Sequence, residues 1–417
     1  MNQGFYTGIN GMQSTQYGID VISDNLANVN SIGYRGSQTE FASLFEKNLT
    51  AAAANGPTED TFGVGSRVQA TSMMEQMGTL IQGDRTTDLA IDGEGWFGIS
   101  GMNEIYYTRA GDFTFDSNRD LVTQDGFHAL GTLGTNFADD VLTEPLESIP
   151  LGDVVAQGPL NFPLEMTYPV QPTTQAQFFG DLGVDDIPVA VSATAISPNS
   201  AHNRIRLDFT QSATQPPSGT AWDIVGTVTN NDGTITYDTQ TGSALFNEIG
   251  AMVNYTMPSL DNDGAPVAID LGTGFNGVMS TGSDATAALS SSSDGHEGGE
   301  LVGYTINQNA DVIAAFSNGR SSAVGKMAVF HFQNDQGLER TSGTRFQESE
   351  NSGDPIFYTD ANGNPINGTA ILTGMLENSN VRLEVGLTEL IIMQRSYDAN
   401  AKSITTSDEL IQKALQM

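Results

Sequence analysis

The chain has 417 residues, enough for two or three domains at roughly 150 residues each. Its 16 Lys and Arg residues stand against 50 Asp and Glu residues, so the formal net charge is −34. Such a chain repels phosphate backbones and anionic membranes, which argues against nucleic-acid binding. The absence of cysteine excludes disulfides, thiol catalysis and zinc–thiolate sites. No apolar run reaches the ~18 residues of a membrane-spanning helix, and no conventional signal peptide is predicted at the N-terminus.

The acidic residues are concentrated in the middle of the chain. Residues 1–56 carry four acids and two bases, and residues 376–417 carry six and four, so each end is only −2. The stretch 120–319 has 24 acids and two bases, Arg204 and Arg206. Prolines occur only from Pro57 to Pro365. The pattern indicates near-neutral, helix-permissive ends around an acidic middle rich in Gly, Thr, Asn and Asp.

Apolar residues near the N-terminus recur at spacings of 4, 3, 7, 3, 4 and 3. This spacing places them on one stripe and predicts an amphipathic helix of about 25 residues, within the range 1–34. The stripe consists of Phe5, Ile9, Met12, Ile19, Ile22, Leu26 and Val29.

A second stripe occupies the C-terminal range 376–417, with spacings of 4, 3, 7, 4, 3, 7 and 4. It predicts a helix of about 35 residues, roughly 50 Å long, with N-cap candidates at 378–380. Gly386 and the capping-box pattern of Thr406 and Glu409 are candidate break points. Two long, narrow stripes favour coiled-coil-like pairing, with each other or with other copies; ordinary core helices of one globule are the alternative. The stripe consists of Leu383, Leu387, Leu390, Tyr397, Ala401, Ile404, Ile411 and Leu415.

The region between the stripes reads as β structure after a linker. Residues 35–87 are predicted as a linker or extended stretch, with 51–67 as a long loop rich in small and turn-forming residues. Short strands separated by turn residues then predict an antiparallel β domain formed by 88–147 and 300–375, with a hairpin-like turn at 92–95. Residues 148–299 have the same texture and are predicted to be a second antiparallel β domain inserted into the first. Ser290–Ser293 and the segment 294–299 are expected to be its return linker. The fold class is therefore α+β, multidomain.

Motifs for metal, phosphate or catalytic chemistry are incomplete. His296 begins a zincin-like pattern, but the last ligand would be Glu300, and two glycines would break the required helix. Asp116 begins a calcium-like loop that has Leu121 where glycine is needed, so a turn with Asx hydrogen bonds is preferred. The glycines at 319 and 325 fail as a phosphate loop, and no GxSxG elbow occurs. The sequence predicts neither an enzyme nor a bound metal or cofactor.

The two ends resemble signatures of the flagellar rod and hook proteins. The N-terminal one runs from Asn25 to Arg35, and the C-terminal one runs from Gln394 to Lys402 and continues through 404–406. Segments 88–97 and 107–111 resemble that family's inner β domain, and 316–319, 337–338 and 348–353 resemble its second half in hook proteins. The signature residues are Asn25, Leu26, Ala27, Asn28, Gly33, Tyr34, Gln394, Arg395, Tyr397 and Asn400.

The resemblance implies a hook protein, a structural subunit that self-assembles into a tubular, flexible joint between rod and filament and transmits motor torque. It implies that the terminal helices pair around a central channel while the β domains point outward. Expected partners are further copies of the chain, the distal rod protein, the hook cap, the hook–filament junction protein and the flagellar type III export apparatus. The expected location is the extracellular hook and basal body, reached by export without a cleavable signal peptide.

Two alternatives remain at this stage. The long stretch 47–75 resembles an insertion more typical of the distal rod protein, so a rod-like axial protein is possible. If the chain is a hook protein, that stretch is expected to stiffen it. A secreted adhesive or carbohydrate-binding β protein is the alternative from another class, and it would not need paired terminal helices.

Overall fold

A computed structural model describes residues 2–47, 61–101, 104–183, 187–281 and 288–416. Helix α1 spans Asn2–Ala27, helix α2 spans Leu383–Leu415, and the described residues between them are mostly strands. The prediction of one long helix near each end of a β-rich chain is confirmed.

The helix boundaries differ from the sequence-based expectation in three places. Val29 lies beyond α1, because Asn28 bonds back to the Asp24 carbonyl through Nδ2 at 2.9 Å and turns the chain. The N-cap of α2 is Arg382, in an extended conformation and without a side-chain cap, so the caps expected at 378–380 are wrong. Neither expected break occurs: the Gly386 N–H donates to the Arg382 carbonyl at 2.9 Å, and α2 continues past Thr406.

The strands are numbered in chain order. The first group is β1 (Ser37–Lys47), β2 (Thr61–Met73), β3 (Leu80–Gln82), β4 (Leu89–Asp92), β5 (Trp96–Gly101), β6 (Glu104–Thr108), β7 (Thr114–Phe115), β8 (Leu121–Val122), β9 (His128–Leu133), β10 (Phe137–Ala138), β11 (Val141–Leu142), β12 (Gly158–Pro159) and β13 (Thr167–Tyr168). The second group is β14 (Gln175–Asp181), β15 (Val189–Ile196), β16 (His202–Gln211), β17 (Thr220–Asn230), β18 (Thr236–Phe246), β19 (Met252–Thr256), β20 (Leu260–Asp261), β21 (Pro266–Asp270), β22 (Gly272–Thr273), β23 (Asn276–Met279) and β24 (Ala288–Ser293). The third group is β25 (Gly299–Ile306), β26 (Asp311–Phe316), β27 (Ser321–Met327), β28 (Val329–Phe330), β29 (Glu339–Ser342), β30 (Arg345–Gln347), β31 (Tyr358–Thr359), β32 (Pro365–Ile366), β33 (Ala370–Thr373) and β34 (Met375–Glu377). Short 3₁₀ helices span Val154–Ala156 and Asp335–Gly337.

Strands β1 and β2 form a long antiparallel hairpin, paired from Ser37 opposite Met73 to Lys47 opposite Thr61, with register shifts after Glu40 and after Leu44. The predicted loop at 51–67 is therefore wrong for residues 61–67, which belong to β2. The small residues that suggested a loop lie in a strand beside α1, where Gly65 comes close to the Thr7 backbone. The rest of the predicted loop lies outside the described residues.

The first β body is built around a large sheet ordered β10-β11-β13-β25-β26-β27-β9-β5-β6-β30-β29. The hairpin expected around 92–95 is absent, because β4 pairs with β33 while β5 pairs with β6 and β9. Gly93 and Gly95 both have positive φ, at 128° and 120°, and redirect the chain between β4 and β5 instead of closing a hairpin.

The core of the first body draws residues from both halves of the chain's β region, including Leu89, Phe113 and Val312. It also contains Leu160 and Phe162, which fall in the range predicted for the inserted domain. Strands β12 and β13 of that same range pair with β9 and β25. Residues up to about Tyr168 thus pack with the first body.

The second β body consists of a five-stranded sheet, β15-β16-β17-β18-β19, and a sheet ordered β20-β21-β14-β23-β22 with β24 also on β14. Their inner faces share a separate core that includes Phe178, Leu207 and Trp222. The expectation of purely antiparallel sheets is wrong, because β14 runs parallel to β21 and β23. A parallel pair needs a long crossover, and the whole five-stranded sheet provides it between β14 and β21.

Two segments, one before β14 and one after β24, pair with each other. Gln171 and His296 exchange two backbone hydrogen bonds of 3.0 Å, forming a narrow neck. The prediction of a return linker is wrong for Ser290–Ser293. These serines belong to strand β24, which pairs with β14. The zincin-like His296 lies in this neck and not on a helix.

Candidate assembly interface

The two terminal helices pack in antiparallel directions, with glycines of α1 at the contact. A methyl group added at Gly8 would lie 2.7 Å from Ile404 Cγ1, closer than real Cβ atoms approach a neighbour. Glycine therefore allows the two backbones to approach closely, as small residues do between helices generally. The facing residues are Gly4 and Ser407, Gly8 and Ile404, Gly11 and Asn400, and Gly18 and Met393.

The buried face of α1 is small and polar where the sequence predicted an apolar stripe. The predicted residues Phe5, Ile9, Met12 and Ile19 each follow a glycine by one position and are half-buried. One residue rotates a helix by about 100°, so the apolar stripe flanks the contact line and does not form it. The buried positions of α1 are Gly8, Gly11, Ser14, Thr15, Gly18, Ile22 and Asn25.

The predicted stripe of α2 divides into two sets. Leu390, Tyr397, Ala401, Ile404 and Ile411 are half-buried on the side that carries the α1 contacts. Leu383, Leu387 and Leu415 are exposed, so they take no part in this contact. A strict seven-residue repeat drifts about 20° per heptad on a straight helix, which turns the ends of the stripe away from α1.

Helix α2 also exposes large apolar side chains that the predicted stripe did not include. They occur on both halves of the helix, on sides left uncovered by α1. With the exposed stripe residues they give the second helix an extensive uncovered apolar surface. These side chains are Val385, Ile391, Ile392 and Leu410.

A buried ionic cluster, here called the clasp, fixes the helix roots to the first body. Glu377 Oε1 lies 2.9 Å from Arg35 Nη2, and Glu377 Oε2 lies 3.3 Å from Arg109 Nη1. The side chains are only 2% exposed for Glu377 and 4% for each arginine. Burial, reinforced by repulsion from Arg35, lowers the pKa of Arg109 to about 10, and Glu377 opposes that shift. Burial also lowers the pKa of Arg35. Two buried cations thus share one carboxylate.

Asparagine side chains bind the backbone at the same roots. Asn25 receives the Ser37 N–H at 2.9 Å and donates to the Ser37 carbonyl at 2.7 Å. Asn380 receives the Gly36 N–H at 2.7 Å and donates to the Met74 carbonyl at 2.9 Å. These contacts hold the end of α1, the base of the hairpin and the start of α2 together.

The turn after α1 uses two further signature residues, Gly33 and Tyr34. Gly33 has φ of 67°, and its N–H donates to the Glu377 carbonyl at 2.7 Å. The buried Tyr34 donates its hydroxyl proton to Asp24 Oδ2 at 2.9 Å, and the Arg340 guanidinium lies 4.7 Å from the Tyr34 ring centre. This part of the signature therefore builds the root of α1.

The hairpin lies along α1. Ser14 Oγ is 2.9 Å from Ser66 Oγ, and Tyr17 OH is 3.1 Å from Thr71 Oγ1. A methyl group at Gly18 would lie 3.2 Å from the Phe41 ring. The hairpin and α2 therefore both pack on α1, and α1 is the middle element of this arrangement.

The remaining signature residues divide into those that contact other parts of the chain and those that are exposed. Leu26 packs against Gly386, and Asn28 closes the turn after α1. Tyr397 and Asn400 are half-buried toward α1, whereas Ala27, Gln394 and Arg395 are exposed. The exposed ones are free to face other copies.

Sequence reasoning missed the glycine contact line and the clasp. The glycines at 4, 8, 11 and 18 repeat at 4, 3 and 7, the same spacing as the apolar stripe, so their pattern could have revealed the line. The clasp had no such signal, since its three charges are widely separated in sequence.

No group of three His, Asp or Glu side chains is placed to hold a metal ion among the described residues. The calcium-like segment is an Asx turn, in which Asp116 Oδ1 receives the N–H groups of Asn118 and Asp120 at 2.8 and 2.9 Å. Neither described helix combines the length and apolarity needed to cross a membrane.

Three family models match the chain at the elements that carry this interface. The model described as "Flagella basal body rod protein" matches residues 5–35, which cover α1 and its root. "Flagellar hook protein FlgE/F/G D1 domain" matches 90–149 in the first body. "Flagellar basal body rod FlgEFG protein C-terminal" matches 372–417, including α2.

Full-length relatives point the same way. The chain is 26% identical to the flagellar hook protein FlgE of Borreliella burgdorferi over 457 aligned residues, covering all of both chains. It is 27% identical to that of Escherichia coli K12, covering 98% of each. The crystal structure of the Helicobacter pylori flagellar hook protein FlgE2 shares the fold with a TM-score of 0.52 and 14% identity, over 70% of this chain and 98% of that one.

The paired terminal helices and these matches define a structural, polymer-forming component of the bacterial flagellar hook and basal body, and not an enzyme. More narrowly, these matches support a flagellar hook protein, a structural subunit of the hook.

Proposed function

We propose that copies of this chain polymerise into the hook tube through the apolar side chains that α2 leaves exposed. The observation that carries the proposal is that Leu387, Ile391 and Ile392 lie on a long helix and are 43%, 53% and 55% exposed among the described residues. Exposed apolar surface of this extent is characteristic of interaction sites. Neighbouring copies would cover it, and the tube so formed would bend while transmitting torque from rod to filament.

Charge supports an arrangement with the helices innermost and the β bodies outermost. Copies around a channel are closest together at their helices, and the terminal stretches 1–56 and 376–417 are each only −2. The stretch 120–319, with 24 acids and two bases, contains the whole second body. Outward placement separates these like charges and exposes them to screening by salt.

The second body is proposed to be a domain inserted into the first. Its separate core and the two-strand neck at Gln171 and His296 support boundaries near residues 170 and 297. By resemblance, the partners would be the distal rod protein, the hook cap, the hook–filament junction protein and the type III export apparatus. Export would then occur without a cleavable signal peptide, and the amphipathic helices would order on incorporation.

The hairpin formed by β1 and β2 is proposed to stiffen the hook. Its contacts with α1 through Ser66 and Thr71 support a role as a stiffening element beside the helix pair. The hairpin is also the observation that favours the alternative of a distal-rod-like protein, in which it would keep the tube straight.

The test is electron microscopy of polymer grown from purified full-length protein. Leu387→Asp should leave the β bodies folded, as judged by circular dichroism, and prevent tube formation, because a charge in an apolar interface is costly. Leu164→Asp is the matched control, since Leu164 is exposed on the first body. Normal tubes from the Leu387 variant would overturn the proposal. Straight, rigid wild-type tubes would favour the rod-like alternative.

A further inference from the structure

Met77 is the one exposed methionine among the described residues, at 37%. It lies between β2 and β3, where the chain passes from the hairpin to the first body. Its neighbour Met74 is turned inward, with the sulfur 3.1 Å from the position that a Cβ at Gly36 would occupy. Oxidation of methionine follows the exposure of its thioether, so a dissolved oxidant reaches Met77 before Met74.

Met77 lines a cavity of about 460 Å³ at the base of the hairpin. Met73 and Phe332 contribute apolar walls, and Trp96 and Arg109 of the first body contribute polar groups. The cavity therefore has room for one added oxygen atom and brings Met77 to the same space as an indole and a guanidinium.

Two N–H groups of the cavity residues, Trp96 Nε1 and Arg109 Nε, have no acceptor within hydrogen-bonding distance among the described residues. Trp96 is 2% exposed and Arg109 is 4% exposed, so both donors are withdrawn from solvent. Burial raises the pKa of Asp335, which lines the same cavity, and the Trp96 N–H opposes that rise. The indole N–H is thus directed toward the cavity, yet no group is close enough to receive it. A buried donor left without an acceptor is costly.

A methionine sulfoxide would supply the acceptor that this cavity lacks. The thioether sulfur is a weak acceptor, whereas the sulfoxide is polar, which is why oxidation inside an apolar core is disruptive. The segment that carries Met77 is also held in place on both sides. The Asn380 Nδ2 donates to the Met74 carbonyl at 2.9 Å, and the Gly78 N–H donates to Glu377 Oε1 at 2.9 Å.

We propose that Met77 is a modification site, oxidised by peroxide to a sulfoxide whose oxygen accepts hydrogen bonds from the Trp96 and Arg109 N–H groups. The sulfur lone pair attacks one peroxide oxygen, the S–O bond forms as the O–O bond breaks, and the second oxygen leaves as water after proton transfer. Sulfur loses two electrons and the peroxide gains them. The modification is independent of polymerisation, and it leaves the helix roots intact where oxidation of a core methionine would not.

The first test is limited treatment of the full-length protein with hydrogen peroxide, followed by trypsin digestion and fragment mass spectrometry. Cleavage after Arg67 and Arg85 places Met73, Met74 and Met77 in one peptide, so their oxidation is compared within the same molecule. Met77 should be about half converted when Met74 has reached about a tenth. Equal conversion of Met74 and Met77 would overturn the proposal.

The second test is denaturant unfolding before and after the peroxide treatment. Met77→Leu, treated in the same way, measures the effect of all other methionines, so its difference from wild type isolates Met77. That difference should show no fall in the unfolding midpoint, whereas in Trp96→Phe, which lacks one donor, oxidation of Met77 should lower the midpoint. A fall of equal size in both backgrounds would overturn the proposal.

A further pair of variants needs no oxidant and leaves Trp96 in place. Met77→Gln brings a carbonyl acceptor to the cavity, and Met77→Leu brings none, so the Gln variant should have the higher unfolding midpoint. The same two substitutions at Met375, which is half-buried and lies outside this cavity, are the matched control and should show the reverse order. A Met77→Gln midpoint below that of Met77→Leu would overturn the assignment of the two donors to the sulfoxide.

Discussion

The carboxylate of Glu377, at the end of the last strand, lies 2.9 Å from the guanidinium of Arg35, just before the first strand. Arg109 of the first body binds the other carboxylate oxygen at 3.3 Å. The clasp therefore joins both helix roots to the first body, alongside the backbone contacts that Asn25 and Asn380 make at the same roots.

Removing that acid should be strongly destabilising. Glu377→Gln would remove the carboxylate charge that both buried guanidinium groups contact, and breaking one partner of a buried ionic group costs about 3–5 kcal/mol. Denaturant unfolding of the full-length protein at neutral pH should show that loss, with its midpoint displaced to lower denaturant concentration. Glu384→Gln is the control, since the Arg382–Glu384 pair is solvent-exposed. Equal midpoints for the two variants would mean that the clasp contributes little.

The glycine contact line should distinguish two otherwise identical substitutions. Gly4→Ala places its methyl 3.6 Å from Ser407 Oγ, an ordinary contact, and gains about 1 kcal/mol of helix propensity. Gly8→Ala gains the same propensity but places its methyl 2.7 Å from Ile404 Cγ1. Hydrogen exchange of α1 amides should slow about fivefold in the first variant and quicken in the second. Slower exchange in both would contradict the close packing at Gly8.

His331 should make the first body sensitive to mild acid. Its Nε2 lies 2.6 Å from the Asn367 carbonyl, which can only accept, so the neutral ring donates there. Burial lowers the pKa of His331 below its ordinary 6.5. Below about pH 6.5 the unfolded chain therefore binds a proton that the folded chain resists, and stability falls as the pH falls.

Replacing the His331 imidazole isolates its contribution to the pH dependence of stability. The loss of unfolding free energy between pH 6.5 and 5 should be smaller in His331→Gln than in the wild type, by up to about 1.4 kcal/mol per pH unit. Carboxylates contribute equally to both proteins, so they cancel in the comparison. Identical pH profiles would show that His331 titrates normally in the folded state.

Shortening the hairpin should change the mechanics of the tube and not its formation. Ala42 and Arg67 face each other across β1 and β2, so residues 43–66 can be replaced there by a two-residue turn. The variant loses the Ser14–Ser66 contact and keeps Tyr17 with Thr71. Electron microscopy should show tubes with altered curvature or bending stiffness. Tubes indistinguishable from wild type would contradict the proposal that the hairpin stiffens the hook.

Periodicity predicted the helices well because their stabilising pattern is local. About 25 and 35 residues were expected, and α1 and α2 have 26 and 33. The error at Val29 arises from the local Asn28–Asp24 hydrogen bond, and the error at 378–380 arises where tertiary contacts compete with helix capping. Asn380, for instance, binds the backbone of Gly36 and Met74 and does not cap α2.

Strand pairing was much less predictable than strand existence. Leu89 and Trp96 begin strands that the sequence places around one turn, yet β4 pairs with β33 from the far side of the second body. Such partners are chosen by packing between distant segments, which local composition does not encode. The serine-rich β24 was predicted as a linker for the same reason, because its pairing with β14 determines its conformation.

The spacing of the contact residues between the helices could be predicted from the sequence, but their residue types could not. The two stripes, one containing Ile9 and the other Leu387, predicted helices that associate, and within one chain small residues such as Gly11 form the contact. The displaced leucines of α2 are then exposed, which is what assembly with other copies requires.

The most direct test of this account is a helical reconstruction of the assembled tube by electron cryomicroscopy. The account predicts α1 and α2 innermost, with Leu387 and Ile391 covered by neighbouring copies and the acidic second bodies outermost. A tube in which these side chains still face solvent, or in which the β bodies line the channel, would contradict it.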